Sequence, residues 1–240
     1  MKLRIAYVEE PPFYWTARDG SATGADIELA EIVLRAIGVT GIEYVPTSFG
    51  EFLPGVQHGR WDMNVPIFVT PERAQQVAFS LPVWALGDGF LVRPGNAQAL
   101  TSYLALAARS DARLGVIAGQ VQVASARSAG VSDGQLVVFG NQPEAVAALM
   151  AGEIDAFAAT AIGSRTEAGD NPAVEAVAHA ASAGAQVPVG AFSFAQGNQA
   201  LLLAVNEQLR RYLGSPDHRA RMAPYGITHT EIDAVLARPQ

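Results

Sequence analysis

Arg73 lies in "VTPERAQQVAFSLPVW" (69–84), directly after a Thr-Pro pair. Thr70 reads as a helix N-cap and Pro71 as the first helical residue, which puts Arg73 in the first turn. The backbone dipole makes that end of a helix positive, so a cation there is disfavoured unless an anion sits close by. First-turn amides and a guanidinium fork together suit one kind of guest, a carboxylate held by parallel hydrogen bonds. An arginine at a helix start is also an ordinary surface residue, so position alone leaves both readings open.

Few other residues offer chemistry. The chain has no cysteine, which excludes disulfides, thiolate metal sites and cysteine nucleophiles. Its four histidines (His58, His179, His218, His229) are not at metal-ligand spacing, so neither a metal nor a cofactor is expected. Phosphate-binding, nucleophile-elbow and zinc-protease motifs are lacking. The net charge of −7 argues against nucleic acid or an acidic membrane as the partner. Half of the 240 residues are hydrophobic and 16% are charged, a globular composition. No apolar run approaches the ~20 residues of a membrane span, and "MKLRIAYVEE" lacks the apolar core of a secretory signal. The chain as it stands is expected to be soluble, with any leader already removed.

These residues need a scaffold, and the chain alternates strands with helices. "LRIAYV" is a strand that the prolines of "EEPPFYW" stop. "ADIELAEIVLRAIG" is a helix with Ile27, Ala30, Ile32, Val33 and Leu34 on its apolar stripe, ending at Gly38. "GIEYVPT" is a strand, "FGEFLPGVQHG" a short helix, "WDMNVPIFV" a buried strand and "TPERAQQVAF" a helix. After the strand "GDGFLVRPG" (87–95) comes a second set: helix "LTSYLALAARS", strand "RLGVIAG", helix "VQVASARSAG", strand "QLVVFG", helix "PEAVAALMAG", strand "IDAFAAT". An Ala/Gly-rich stretch precedes the strand "PVGAFSFAQ" (188–196) and the helix "NQALLLAVNEQLRRYLG". The pattern predicts an α/β fold with parallel sheets. "LPGVQHGRWDMNVPI" (53–67) and "VAALMAGEIDAFAAT" (146–160) repeat one order, with Asp62 and Asp155 at matching strand starts. Two similar lobes explain the echo, and the two acids read as structural.

"TGADIELAEIVLRAIG", "EFLPGVQHGRWDMNVPIFVTPERAQQVAFSLPVW" and "AVAALMAGEIDAFAAT" resemble signature regions of the type II periplasmic solute-binding proteins of ABC importers, in particular the polar amino acid class. "EEPPFYW" and the segment from "GFLVRPG" to "VAALMAG" are most similar to receptors for ectoine and hydroxyectoine. The resemblance implies a two-lobed type II fold whose α/β lobes, joined by two crossing strands, close around a small ligand. Lobe one is then 1–90 plus 191–240 and lobe two 91–190, with hinge strands near 87–95 and 188–196. It also implies a periplasmic or extracytoplasmic monomer that delivers its ligand to a membrane permease.

The same resemblance assigns ligand contacts. Arg73, with Thr70, takes a carboxylate, and Glu10 with Phe13, Phe49 and Phe68 takes a flat cation such as the ectoine ring. Tyr14, Trp15 and Trp84 are further aromatic candidates, Trp84 with the strongest expectation of being core. In lobe two, Gly119, Gln120 and Val121 occupy the place of an anion-binding loop. Thr160 stands where amino acid receptors commonly carry an Asp for the ligand's ammonium, which favours a ligand whose cation is handled in lobe one. The expected function is a non-catalytic receptor. The alternatives are a polar amino acid receptor or a cyclohexadienyl dehydratase-like enzyme, for which Glu10 is the one acid-base candidate.

Overall fold

The computed structural model describes residues 2–179 and 187–238. The chain divides into two compact units, Met1–Leu86 with Val187–Gln240, and Gly87–Gln186. Unit 1 contains β1 (Lys2–Tyr7), the small hairpin of β2 (Trp15–Thr16) and β3 (Ala22–Thr23), α1 (Ala25–Ala36) and β4 (Gly41–Pro46). A 3-10 turn at Phe49–Glu51 leads into α2 (Phe52–Gln57), then β5 (Met63–Phe68), α3 (Pro71–Ala74), β6 (Ala78–Phe79) and β7 (Trp84–Ala85). Unit 2 runs through β8 (Asp88–Val92), α4 (Tyr103–Ala107), β9 (Leu114–Ile117), α5 (Val121–Ser128) and β10 (Leu136–Phe139). It continues with α6 (Gln142–Ala151), β11 (Ala156–Thr160), α7 (Ala161–Asp170) and β12 (Glu175–Ala178). Unit 1 resumes with β13 (Val189–Phe194), α8 (Gln199–Tyr212), α9 (Pro216–Met222) and α10 (His229–Leu236).

The two sheets share one plan. Unit 1 orders its strands β4-β1-β5-β13-β6, and unit 2 orders them β10-β9-β11-β8-β12. In each, the first three are parallel and the fourth runs antiparallel to the third. The expected parallel sheets are therefore mixed. β8 starts at the edge where β11 ends, Asp88 opposite Thr160, because no helix first carries the chain back to the other edge. β5 is buried along its whole length, as its continuous apolar run requires. Unit 2 buries both faces of its sheet, Phe90, Leu114 and Val116 on one side and Leu91, Phe157 and Leu149 on the other.

The echoed motif has a physical basis. Gly59 and Gly152 both adopt positive φ just past a helix (+68° and +76°), a geometry that turns the chain into the next strand. Asp62 then accepts the Arg4 backbone N–H at 2.7 Å, and Asp155 accepts that of Arg113 at 2.9 Å. Each acid ties its strand to the start of the central one, the structural role expected of it.

Three expectations are corrected. The helix expected over "TPERAQQVAF" stops after four residues, because Gln76 N–H bonds to the Arg73 carbonyl three residues back and the chain leaves to pair as β6. On α1, Ile32 is only half-buried, while Asp26 and Leu29 share the buried face with Ile27, Ala30, Val33 and Leu34. The Ala/Gly-rich stretch holds α7 and β12, with 180–186 outside the described residues. Thr160 is the N-cap that starts α7, a signal hidden because that helix is rich in Gly and polar residues.

Candidate ligand-binding site

The loop after β1 closes on itself. Glu10 N–H donates to the Tyr14 carbonyl at 2.8 Å, and Phe13 N–H to the Glu10 carbonyl at 3.0 Å. The first amides of α1 fasten this turn: Ala25 N–H donates to the Pro12 carbonyl (3.0 Å) and Asp26 N–H to that of Phe13 (2.9 Å). The close approach requires Gly24, whose φ is +125° and where a Cβ would lie 2.3 Å from the Phe13 oxygen. Helix-end donors that would otherwise need a cap thus fix the loop that presents Glu10. Tyr14 O–H donates to Glu10 Oε2 at 3.1 Å. Burial, then the charges of Glu10 and Asp26, hold the Tyr14 phenol well above its ordinary pKa, so it remains a donor at neutral pH.

Arg73 is 8% exposed. Thr70 and Pro71 take the N-cap and first-turn positions, and Thr70 Oγ1 accepts the Arg73 N–H at 3.2 Å. A four-residue helix generates little dipole, so the unfavourable field expected at Arg73 is largely missing. What is unusual is its burial. The guanidinium donates from Nη1 to the Phe68 carbonyl at 2.7 Å and lies over the Phe49 ring, 5.2 Å from the centroid. Burial lowers its pKa, and Tyr14 with the carboxylates of Glu10 and Glu72 opposes that shift, which places Arg73 and Glu10 in one electrostatic neighbourhood. An arginine stays charged even so.

Two aromatic rings meet at Trp84. Phe13 lies 5.8 Å from it at a 41° tilt, and Phe68 meets it edge-on at 5.2 Å. Trp84 is buried, as its core expectation holds, and a Cβ on the neighbouring Gly190 would lie 2.0 Å from its ring. Its indole N–H donates to both carboxylate oxygens of Asp26, at 3.1 and 3.3 Å. Asp26 is fully buried, and its carboxyl is held well above the usual range by burial, against the pull of the Trp84 N–H. Sequence reading missed Asp26 because an acid in a first helical turn is unremarkable; its place on the apolar stripe was the available signal. Phe49 joins this group through Arg73 and packs on Phe52. Trp15 packs instead on Tyr225.

In unit 2, Gly119 (φ +81°), Gln120 and Val121 form the turn from β9 into α5, with Gln120 at the N-cap position. Gln120 makes no side-chain cap bond. Thr160 closes the neighbouring parallel strand, so the two candidates share the carboxyl-end edge of the sheet. Thr160 is buried and its Oγ1 accepts the Gly163 N–H at 3.0 Å, so its acceptor role is spent within the fold. Opposite it stands Asp88, which the sequence shows only as a residue at the start of the strand "GDGFLVRPG". Asp88 receives Tyr103 O–H at 2.8 Å and Gln122 Nε2–H at 2.9 Å. Among the described residues no three His, Asp or Glu side chains are grouped to hold a metal, and no helix is long and apolar enough to cross a membrane.

Two α/β units of one strand plan, one with a buried arginine beside an acid and aromatic rings, form the type II periplasmic binding protein fold. Residues 3–223 match bacterial extracellular solute-binding proteins, family 3, and the chain belongs to that family. A probable amino-acid ABC transporter periplasmic-binding protein, y4tE, of Sinorhizobium fredii is 28% identical over 97% of this chain and 79% of that protein. The crystal structure of EhuB in complex with hydroxyectoine superposes with a TM-score of 0.88 at 28% identity, covering 99% of this chain and 91% of EhuB. The ancestral amino acid-binding protein AncCDT-1, a precursor of cyclohexadienyl dehydratase, gives 0.81 at 25% identity, over 93% of this chain and 94% of that one. An ancestral arginine-binding protein bound to arginine also gives 0.81, at 27% identity over 93% and 97%.

Proposed function

We propose that the protein is the extracytoplasmic receptor of an ABC importer and binds a small zwitterionic carboxylate, ectoine or hydroxyectoine, without converting it. The observation that carries this reading is the buried Arg73 guanidinium in one electrostatic neighbourhood with Glu10 and the Tyr14 hydroxyl, beside Phe49 and Phe68. A buried cation is costly unless an anion or strong acceptor meets it. The Phe68 carbonyl accepts from Nη1, and a planar guanidinium fork matches the geometry of a carboxylate. Glu10 and the faces of Phe13, Phe49 and Phe68 suit a delocalised cation. Thr70 positions Arg73, the Gly119-Gln120-Val121 turn offers the Val121 N–H to the carboxylate, its Gln120 N–H being bonded to the Ile117 carbonyl at 3.2 Å, and Thr160 offers its O–H.

The hydroxyectoine complex of EhuB supports the choice of ligand. The receptor works as a monomer that hands its ligand to a membrane permease, with the strands near 87–95 and 188–196 as hinges. A polar amino acid receptor is the second reading, favoured by the name of the Sinorhizobium relative. An enzyme of the dehydratase type would use Glu10 as its acid or base, and turnover of prephenate or arogenate would establish it.

Titration calorimetry with ectoine, hydroxyectoine, glutamine, arginine and histidine tests the proposal. Ectoine or hydroxyectoine is expected to bind with micromolar or better affinity and the amino acids poorly. Tight amino acid binding with none for ectoine would replace this reading by the second.

A further inference from the structure

Unit 2 contains an acid that its own contacts do not neutralise. Asp88 opens β8 at the edge where the parallel strands β9, β10 and β11 end, the edge at which open α/β sheets bind ligands. Its side chain shares a sheet face with Thr160, directly across the antiparallel pair. Among the described residues its hydrogen-bond donors are Tyr103 on α4 and Gln122 on α5, both uncharged, and no lysine or arginine pairs with it. Gln122 is 2% exposed, and while its Nε2 serves Asp88, its Oε1 is buried without a hydrogen-bond partner. His179, just past β12, adds a buried Nε2 that is also unpartnered among the described residues. Two acceptor-capable groups and one acid are thus collected at one sheet edge with no cation to match them. A half-buried carboxylate without a counter-charge is expensive for a fold, and such groups concentrate where ligands bind.

We infer that Asp88 is a ligand-binding residue, its carboxylate serving with Glu10 as a second acid for the delocalised cationic group of the bound zwitterion and Gln122 Oε1 accepting a second hydrogen bond from that group. This rests on the proposed reading that the ligand is a zwitterionic carboxylate, and it adds an acid to a unit in which the sequence promised only a threonine. Arrival of the cation then shifts a proton. Burial holds the free Asp88 carboxyl above its ordinary range, with the Tyr103 and Gln122 donors pulling the other way. A cation at the carboxylate lowers that pKa again, so binding releases a proton only where the pH is near or below the raised value, and affinity falls as pH drops through it. The titratable groups that face the site are Tyr103 and His179. Tyr103 is pushed far above its ordinary pKa and stays protonated. His179, packed against Phe90 and Tyr103, is pushed down to about 4 by burial and stays neutral above that.

The test is calorimetry of ectoine, hydroxyectoine and arginine on the wild type, Asp88→Asn and Arg73→Ala, run from neutral to mildly acid pH in pairs of buffers of different ionisation heat. Asp88→Asn is expected to weaken the bound probe by a factor on the order of 10 to 100 and to abolish the buffer-dependent heat, with ligand-free thermal stability retained. Tyr103→Phe keeps the carboxylate but removes a donor to its charged form, so it should still bind and release more protons. Wild-type affinity in Asp88→Asn beside lost binding in Arg73→Ala would overturn the role of Asp88 and leave the receptor reading intact. If Asp88→Asn unfolds, a wild type that releases no proton and loses no affinity anywhere in the pH series overturns the role equally. No probe bound by the wild type, or full affinity in Arg73→Ala, would overturn the receptor reading itself.

Discussion

The two units fold on one strand plan and differ in what they set at their strand ends. Unit 1 places ionic side chains there, Arg73 after β5 and Glu10 after β1, with Phe13, Phe68 and Trp84 packed behind them. Unit 2 places a glycine turn after β9, a helix-capping threonine after β11, and one acid whose donors are neutral. The same scaffold therefore yields a strongly charged edge in one unit and a mostly dipolar one in the other. Sheet order is set by buried apolar strands that both halves share, whereas chemistry is set by loop residues that packing hardly constrains. Binding energy should be divided as unequally as the charges are.

The largest effect follows from that inequality. Arg73→Ala should weaken ligand binding by on the order of 2–5 kcal/mol, a loss of thirtyfold or more, as for truncating one side of a buried charge pair. Gln120→Ala, on the corresponding turn of unit 2, should change affinity by less than about threefold, because that turn contributes backbone rather than side-chain groups. Calorimetry on the two variants decides it. If Gln120→Ala costs more than Arg73→Ala, the charged edge is not the anchor. A smaller loss is expected for Phe49→Leu, which removes the ring under the guanidinium and keeps an apolar side chain. About 0.5–2 kcal/mol of cation–π attraction is at stake, a twofold to thirtyfold change in Kd. An unchanged Kd would show that Phe49 serves only its packing against Phe52.

Asp26 gives the comparison a different readout, stability against pH. Its carboxyl is raised well above 3.8, chiefly by burial. A carboxyl raised by folding contributes stability that is fully present below its unfolded pKa and lost as pH rises through the folded one. At neutral pH the wild type therefore carries a strained acid, and Asp26→Asn, which still accepts from Trp84, should be the more stable protein. The gain is expected to shrink as pH falls toward 3.8 and to vanish well below it, where Asp26 is neutral in both states. Relief of about 1 kcal/mol would raise Tm by about 2–4 °C in a chain of this size. Thermal scans from pH 4 to 8 measure it, and a gap between the two proteins that widens toward acid would refute the assignment.

The sequence made the strand-helix alternation, the two-lobed fold and the paired Asp62 and Asp155 readable, because each rests on periodicity or a repeated spacing. It misjudged the helix after Thr70, since Glu, Arg, Ala and Gln all favour helix and the pull of β13 on Ala78 and Phe79 is not local. α7 was missed for the opposite reason: its composition is poor for a helix, and the cap at Thr160 together with sheet packing forms it. Arg73 was singled out for a field that a four-residue helix hardly produces, and its burial could not be read. Asp26 and Asp88 escaped because a buried acid and a surface acid are the same letter. Only the partners distinguish them, Trp84 lying 58 residues away from one and Gln122 34 residues from the other.

Thr160 carries the smallest effect and the finest division between the units. Its Oγ1 caps α7 through Gly163 N–H, so Thr160→Val should cost about 1 kcal/mol of stability, a Tm drop of about 2–4 °C. The same change removes an O–H that could donate to a ligand, worth about 0.5–1.5 kcal/mol and at most about tenfold in affinity. Thr160→Ser retains both cap and hydroxyl and should differ little from the wild type in either measurement. If Thr160→Val loses stability but no affinity, the hydroxyl belongs to the fold alone, and the side-chain share of unit 2 in binding falls to Asp88 and its neighbours. If the affinity loss exceeds about tenfold while Asp88→Asn binds normally, the threonine is the polar contact and the division of labour between the two strands is reversed.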